Sequence, residues 1–280
     1  QQQPPEVGVA AAAAAIAGEL AGGGGGRGAM AAAARAPTLR SFYYSSCGLR
    51  ALIALKYKGV RFEYEPVPRT SMAQHSPTGL APALVHGTSS ISDTSAIIEY
   101  VDTVFDGPGL IPRGDAVSAA HARSVAQIVN SSIQIYQNWT GRVEHEVYGL
   151  LPEGTTEAEK ERIWREWATK FIMRGFGMVE RVIEGLNPHG DFVMPSGFSV
   201  AECYLLPQMN NAVRFYDMDI PHLFPHITRV CRSAAALPAV QQSNPWRLPD
   251  APEHTRELPP EAFFSFLYGP AYCHPAPAHD

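Results

Sequence analysis

The chain has 280 residues and a formal net charge of −5 at pH 7, and its 22 basic side chains are scattered, so the clustered positive charge of a nucleic-acid-binding protein is missing. No apolar run reaches the roughly 18–20 residues that cross a membrane as a helix, and the four cysteines lack the spacing of a zinc site and the density of a disulfide framework. We expect a folded protein of a reducing compartment.

Residues 1–37 consist mostly of alanine and glycine and hold few bulky apolar side chains. Such a composition predicts a segment without a core of its own. It resembles the remnant of an organellar transit peptide, which favours a mitochondrion or plastid, with the cytoplasm as the alternative. A contact surface for a partner protein is a further role that we expect for this extension.

The first folded part, residues 38–112, opens with a β-prone run, a helical pattern and a second β-prone run. The turn before the helix reads SSCG. Because the N-terminus of a helix favours an anion and stabilises a thiolate there, Ser45, Ser46 and Cys47 are candidate catalytic residues. Ordinary N-capping by serine is the alternative interpretation.

Two further sites in this part carry signals of ligand binding. The Ala81–Pro82 bond precedes a strand at 83–86 and is expected to be cis, a geometry that presents backbone groups to an extended peptide. Asp93 and Thr94 open the next helix, where capping side chains can also bind a ligand.

Residues 113–248 are predicted to be all-helical. Long helical patterns cover 115–139 and 156–185, and a capping box formed by Ser199 and Glu202 precedes a third apolar helix. The tail, residues 249–280, holds seven prolines and a cluster of aromatic residues. The prolines exclude most regular helix, so the tail either packs on its own domain or contacts a partner.

Several motifs together resemble one family: SFYYSSCGLRALIALKYKG, SPTGLAPALVHG, ISDTSAIIEYVD, SSIQIYQNW and FSVAECYLLPQMNNAVRF. The chain resembles zeta-class glutathione transferases, the class that includes maleylacetoacetate isomerase. The resemblance implies an α/β domain followed by an all-α domain, that is, the glutathione-transferase fold with a thioredoxin-like N-terminal domain and a helical-bundle C-terminal domain. It also implies a homodimer and a glutathione site between the two domains.

The resemblance assigns roles to individual residues. Backbone groups at Ala81 and Pro82 would pair with glutathione, and Asp93 and Thr94 would hold its γ-glutamyl end. Gln134, in the IQI sequence, matches a further glutathione-binding position. Arg214, in NAVRF, matches an arginine that helps to hold the carboxylates of the substrate, although without the resemblance it reads as an ordinary arginine near a helix C-terminus.

This chain departs from the family mainly around glutathione. Leu80 stands where the family has glutamine, Gly48 replaces a serine, and Ile135 replaces a proline. Residues 68–76 are too short for the loop and helix that clasp the glycyl end. Each lost charge-assisted contact removes about 1.5–3 kcal/mol, so we expect glutathione to bind weakly or not at all.

Three functions are compatible with these observations. The departures favour an accessory or structural subunit of a larger assembly, held through residues 1–37 and 249–280, with a partly eroded glutathione site. The first alternative is an active glutathione-dependent isomerase or transferase that acts on maleylacetoacetate-like or other small electrophilic acids. The second alternative is a redox protein that depends on the thiol of Cys47.

Overall fold

The computed structural model describes residues 36–137 and 148–272. Residues 1–35 of the extension predicted at 1–37, the predicted end of a helix near Trp139 and the last residues of the tail, 273–280, lie outside this part. No helix in the described ranges is both long and apolar enough to cross a membrane.

The N-terminal domain is a four-stranded sheet with two helices. Its elements are β1 (Thr38–Ser41), α1 (Ser46–Tyr57), β2 (Glu63–Pro66), a 3₁₀ segment (Arg69–Gln74), β3 (Ala83–His86), β4 (Ser89–Ser92) and α2 (Thr94–Val104). The strand order is β2-β1-β3-β4, with β1 and β2 parallel and the other pairs antiparallel. This mixed sheet, followed by helices, is the predicted glutathione-transferase fold.

The β-prone runs at 39–44 and 60–67 form shorter strands than their patterns predict. The amide of Ser45 donates to the carbonyl of Phe42 at 3.0 Å, which closes a turn immediately before α1 and takes residues 42–44 out of the sheet. Gly59, with a φ of 71°, follows the end of α1, where glycine commonly ends a helix. A tight turn before the helix therefore replaces the last residues of the expected strand.

The strand register brings three parts of the chain to one edge of the sheet. Arg40 of β1 pairs with Ala83 of β3, which pairs in turn with Ser92 of β4. The turn that follows β1, the Ala81–Pro82 bond and the start of α2 therefore lie side by side. This edge carries most of the candidate site.

The described helices of the C-terminal domain follow in the order α3 (Ala116–Val129), α4 (Glu157–Leu186), α5 (Val200–Tyr216), α6 (Ile220–Leu223), α7 (Pro225–Ala235) and α8 (Pro238–Gln241). The pattern predicted at 115–139 is regular only as far as Val129, since a π-helical turn (Asn130–Gln134) and a short helical turn (Ile135–Gln137) continue it. One apolar core joins both domains, with α5 packed against α1 and α3.

The predicted capping box at the start of α5 is present and completely buried. Glu202 accepts from the amide and the hydroxyl of Ser199 at 2.8 and 2.9 Å, and from the amide of Val193 at 2.6 Å. Burial raises the pKa of the Glu202 carboxyl, while these bonds oppose the increase. The box thereby fixes both the start of α5 and the loop before it.

The tail packs on its own chain over the range that the structure describes. After the 3₁₀ turn Pro245–Arg247 come α9 (Glu253–Glu257) and 3₁₀ segments at Pro260–Tyr268 and Pro270–Tyr272, consistent with the proline content. The rings of Phe263, Phe264 and Phe266 are buried. Of the two roles expected for these aromatic side chains, the structure shows packing on the tail's own domain.

Candidate active site

The turn before α1 places a serine hydroxyl at a helix N-terminus. Ser45 is the N-cap, and its Oγ accepts from the amide of Gly48 at 3.0 Å. A hydroxyl that accepts in this way still has its own O–H to donate. The hydroxyl therefore sits where the helix dipole favours an anion and can donate a hydrogen bond to that anion.

Cys47 lies on the first turn of α1 and is partly exposed. The amide nitrogen of Gln134 is 3.5 Å from its sulfur, and the hydroxyl of Thr94 is 3.5 Å from its carbonyl oxygen. Helices from both domains thus meet at this residue. Gln134 reaches it from the π-helical turn after α3, and that element could not be predicted from helical periodicity.

Asp93 caps α2 from an unusual backbone conformation. Its φ and ψ are 72° and 130°, outside the left-handed helical region in which aspartate is tolerated, and its carboxylate accepts from the amides of Ser95 and Ala96 at 2.8 and 3.4 Å. Thr94, the next residue, is buried. The Ala81–Pro82 bond is cis, as predicted, and lies at the same edge of the sheet.

The site also contains a buried arginine on α1 that sequence patterns did not predict. Arg50 of α1 is fully buried, donates to Gln208 at 2.8 Å and Asn130 at 3.2 Å, and lies 4.2 Å from the centroid of the Tyr204 ring. Within the described part of the chain no carboxylate forms a salt bridge with it. Its charge therefore adds positive potential one helical turn behind Cys47. The signal available was a lone arginine inside an apolar helical run.

A small, partly open cleft lies beside the Ser45 turn. Ser45 and Ser46 form one wall of it, and Arg214, near the end of α5, forms another. Trp246 and Phe263, which come from the C-terminal part of the chain, also line it. The structure therefore brings Ser45, Ser46 and Arg214 to one cleft, and Cys47 is not among the residues that line it.

The sequence departures are visible at the same edge. The side chain of Leu80 is 58% exposed two residues before Pro82. The segment between β2 and β3, residues 67–82, contains one short 3₁₀ segment, Arg69–Gln74, and no α-helix. A Cβ on Gly48 would lie 2.0 Å from the buried hydroxyl oxygen of Ser41, so the glycine that replaces the family's serine is required by this packing.

Comparison with known proteins gives a consistent result. The model of the glutathione S-transferase N-terminal domain matches residues 44–104. A zeta-class glutathione S-transferase of Euphorbia esula is 31% identical over 224 residues, which cover 78% of this chain and 93% of that protein. Maleylacetoacetate isomerase of Rattus norvegicus is 30% identical over 232 residues, which cover 80% of this chain and 99% of that protein.

Solved structures give the same answer. Maleylacetoacetate isomerase from Anaeromyxobacter dehalogenans 2CP-1, with glutathione bound in the active site, superposes with a TM-score of 0.65 at 29% identity and covers 78% of this chain and 98% of that chain. A second structure of that enzyme, with bound dicarboxyethyl glutathione and citrate, gives 0.64 at 30% identity and covers 80% and 97%.

The two-domain fold, with a serine at the N-terminus of α1, is that of the glutathione transferases. Within that superfamily the relatives above fix the class: the chain belongs to the zeta-class glutathione transferase and maleylacetoacetate isomerase family. About a fifth of the chain has no counterpart in these relatives, since they match 78–80% of it while nearly all of their own length is covered.

Proposed function

We propose that this protein is a glutathione-dependent transferase or isomerase with a weakened grip on glutathione, and that Ser45 activates the thiol. One observation carries the proposal: the N-cap hydroxyl of α1 lines a cleft together with Arg214. Cys47, Thr94 and Gln134 lie together beside it. An intact serine turn next to an open cleft favours catalysis over a purely structural role.

The residues present fit glutathione. The hydroxyl of Ser45 is placed to donate to a sulfur atom at the helix N-terminus, and the buried charge of Arg50 supports a negative charge there. The carboxylate of Asp93 suits the ammonium group of a γ-glutamyl residue, and Thr94 suits its carboxylate. Bound glutathione supplies a thiolate whose sulfur forms a bond to an electrophilic carbon, and in an isomerase this bond breaks again after rotation.

We infer the weaker glutathione binding from the positions around the Ala81–Pro82 bond at which this sequence differs from the family. The exposed side chain of Leu80 cannot form a hydrogen bond. The short segment between β2 and β3 also leaves little chain to enclose the glycyl end of glutathione. With two or three hydrogen bonds missing, at about 0.5–1.5 kcal/mol each, the dissociation constant rises by one to three orders of magnitude.

Calorimetric titration with glutathione tests this proposal. We expect saturable binding to the full-length chain, with a dissociation constant that rises at least tenfold in Ser45→Ala. Ser199→Ala is the matched control, because it also removes a serine N-cap but at the far start of α5. An undetectable affinity in the unmodified chain, or equal affinity in the two serine variants, would overturn the proposal. Loss of turnover in Cys47→Ala with full activity in Ser45→Ala would favour the thiol redox alternative.

A second candidate is an accessory subunit of a larger assembly, held through residues 1–37 and 249–280. It is favoured by the same eroded contacts and by the fifth of the chain that the relatives lack. Transit-peptide-like composition supports an organellar location for such an assembly. Native mass measurement after affinity purification from the source cell tests it: recovery as a single chain or a homodimer contradicts an assembly, and a much larger particle supports it.

A further inference from the structure

The C-terminal tail is fixed to the body of the protein through its own backbone. Asn244 donates to the carbonyl of Pro260 at 3.0 Å, and the guanidinium group of Arg232 donates to the carbonyl of Leu267 at 2.9 Å. Arg232 also lies 4.9 Å from the centroid of the Tyr268 ring. These hydrogen bonds to the main chain at Pro260 and Leu267 hold both ends of the segment Pro260–Tyr268 against the rest of the protein.

Between these two points the tail engages Arg214. The Nη2 atom of Arg214 donates to the carbonyls of Phe263 and Ala262 at 2.5 and 3.3 Å and lies 3.3 Å from the hydroxyl of Ser265. Its Nε atom donates to Asn210 at 2.7 Å. All of these acceptors are neutral, so the arginine is hydrogen-bonded without any carboxylate among them.

Aromatic rings surround the same guanidinium group. Its central carbon is 5.0 Å from the centroid of the Trp246 ring, and 5.8 and 5.9 Å from those of Phe263 and Phe266. The Trp246 and Phe263 rings pack edge to face at 5.5 Å and both line the cleft. Cation–π contacts of this kind stabilise the arginine where it is.

These contacts determine how far the charge of Arg214 is available to a ligand in the cleft. Arg214 is the one residue with a full positive charge among the described residues that line it. To bind a carboxylate with its Nη2 atom, it would first have to release the tail carbonyls. The remaining wall is made of aromatic rings, Pro207 and the neutral side chains of Asn210 and Asn211, which suit an uncharged aromatic group.

We propose that the tail sets the specificity of the cleft, which binds uncharged aromatic electrophiles and their glutathione conjugates in preference to dicarboxylates. This inference rests on the glutathione-binding function proposed above. It predicts the opposite preference to that suggested by the relative crystallised with dicarboxyethyl glutathione. Phe263 and the carbonyls that hold Arg214 are the specificity-determining groups.

The test compares two conjugates by calorimetry on the full-length chain. S-benzylglutathione should bind at least tenfold more tightly than S-(1,2-dicarboxyethyl)glutathione. Phe263→Ala removes a ring from the cleft and should reduce this preference about tenfold. Phe264→Ala is the matched control, since its ring is also buried in the tail but lines the apolar space beneath it and not the cleft.

Two results would overturn the inference, and they are distinguishable. If glutathione binds but the dicarboxyethyl conjugate binds as tightly as the benzyl conjugate, the specificity argument fails and the proposed function stands. If neither glutathione nor either conjugate binds, the proposed function fails and this inference fails with it. An equal loss of preference in Phe263→Ala and Phe264→Ala contradicts the role given to Phe263.

Discussion

Gly175, in the middle of α4, allows this helix to pack tightly against the π-helical turn after α3. An alanine Cβ built there would lie 2.4 Å from Cγ1 of Ile133 and 2.7 Å from the carbonyl oxygen of Ser132. Ordinary carbon–carbon contacts are about 3.5–4.0 Å. The helix backbone or the π-helical turn must therefore shift by about 1 Å to accept Gly175→Ala, and the next residue along that turn is Gln134.

The size of the effect follows from two opposing terms. Alanine is favoured over glycine inside a helix by about 1 kcal/mol, whereas overpacking of a tight contact costs about 1–3 kcal/mol. Because one of the clashing atoms belongs to the backbone, we expect the upper end, so that Gly175→Ala lowers the free energy of unfolding by about 2 kcal/mol. Displacement of Gln134 from Cys47 should also weaken glutathione binding.

Gly185→Ala, in the same helix, is the matched control. No atom lies within 4 Å of a Cβ at this position, so only the helix-propensity gain remains and the variant should be more stable by up to about 1 kcal/mol. Urea denaturation followed by circular dichroism measures both variants. If Gly175→Ala stabilised the protein as much as Gly185→Ala does, the tight packing of α4 against the π-helical turn would be refuted.

The remaining predictions concern glutathione and pH. Leu80→Gln restores a polar group beside the cis bond and should tighten glutathione binding about fivefold, for a net hydrogen bond of about 1 kcal/mol, while Leu150→Gln, at another exposed leucine, should change nothing. Asp93→Asn keeps a capping oxygen and should leave stability within about 0.5 kcal/mol, but calorimetry should show at least tenfold weaker glutathione binding. Burial raises the pKa of Tyr216 to about 12, so its contribution to stability is complete below the unfolded-state pKa of about 10 and is lost as the pH rises through about 12. Urea denaturation across that pH range should show that the free energy of unfolding of Tyr216→Phe falls less steeply with rising pH than that of the unmodified protein. Equal pH dependence in the two proteins would contradict this prediction.

Local signals predicted much of the architecture. Helical periodicity placed α1, α4 and α5, and the Ser199–Glu202 capping box marked the start of α5, because capping depends on residues three positions apart. The cis bond before β3 was predicted because an X-Pro bond lowers the cost of the cis form. The order of the motifs was sufficient to identify the family and, with it, the fold.

Long-range contacts decided what local signals could not. α5 continues through Pro207 for its full length, in agreement with the apolar helix predicted there, and packing against α1 and α3 holds the turns on either side of the proline. Arg50 is a surface residue type whose burial depends on Gln208 and Asn130, which belong to other helices. The burial of Arg50 is therefore not encoded within one window of sequence.

The sequence by itself determined the family, the domain order and the residues of the serine turn, because each depends on motifs that are contiguous in the chain. The tertiary structure decided which groups Arg214 and the tail contact. The tail carbonyls that accept from Arg214 lie 48 and 49 residues further along the chain, so the local motif around Arg214 could not predict these contacts. The physical reason is that a guanidinium group binds whichever acceptors folding brings to it, and sequence motifs do not specify those neighbours.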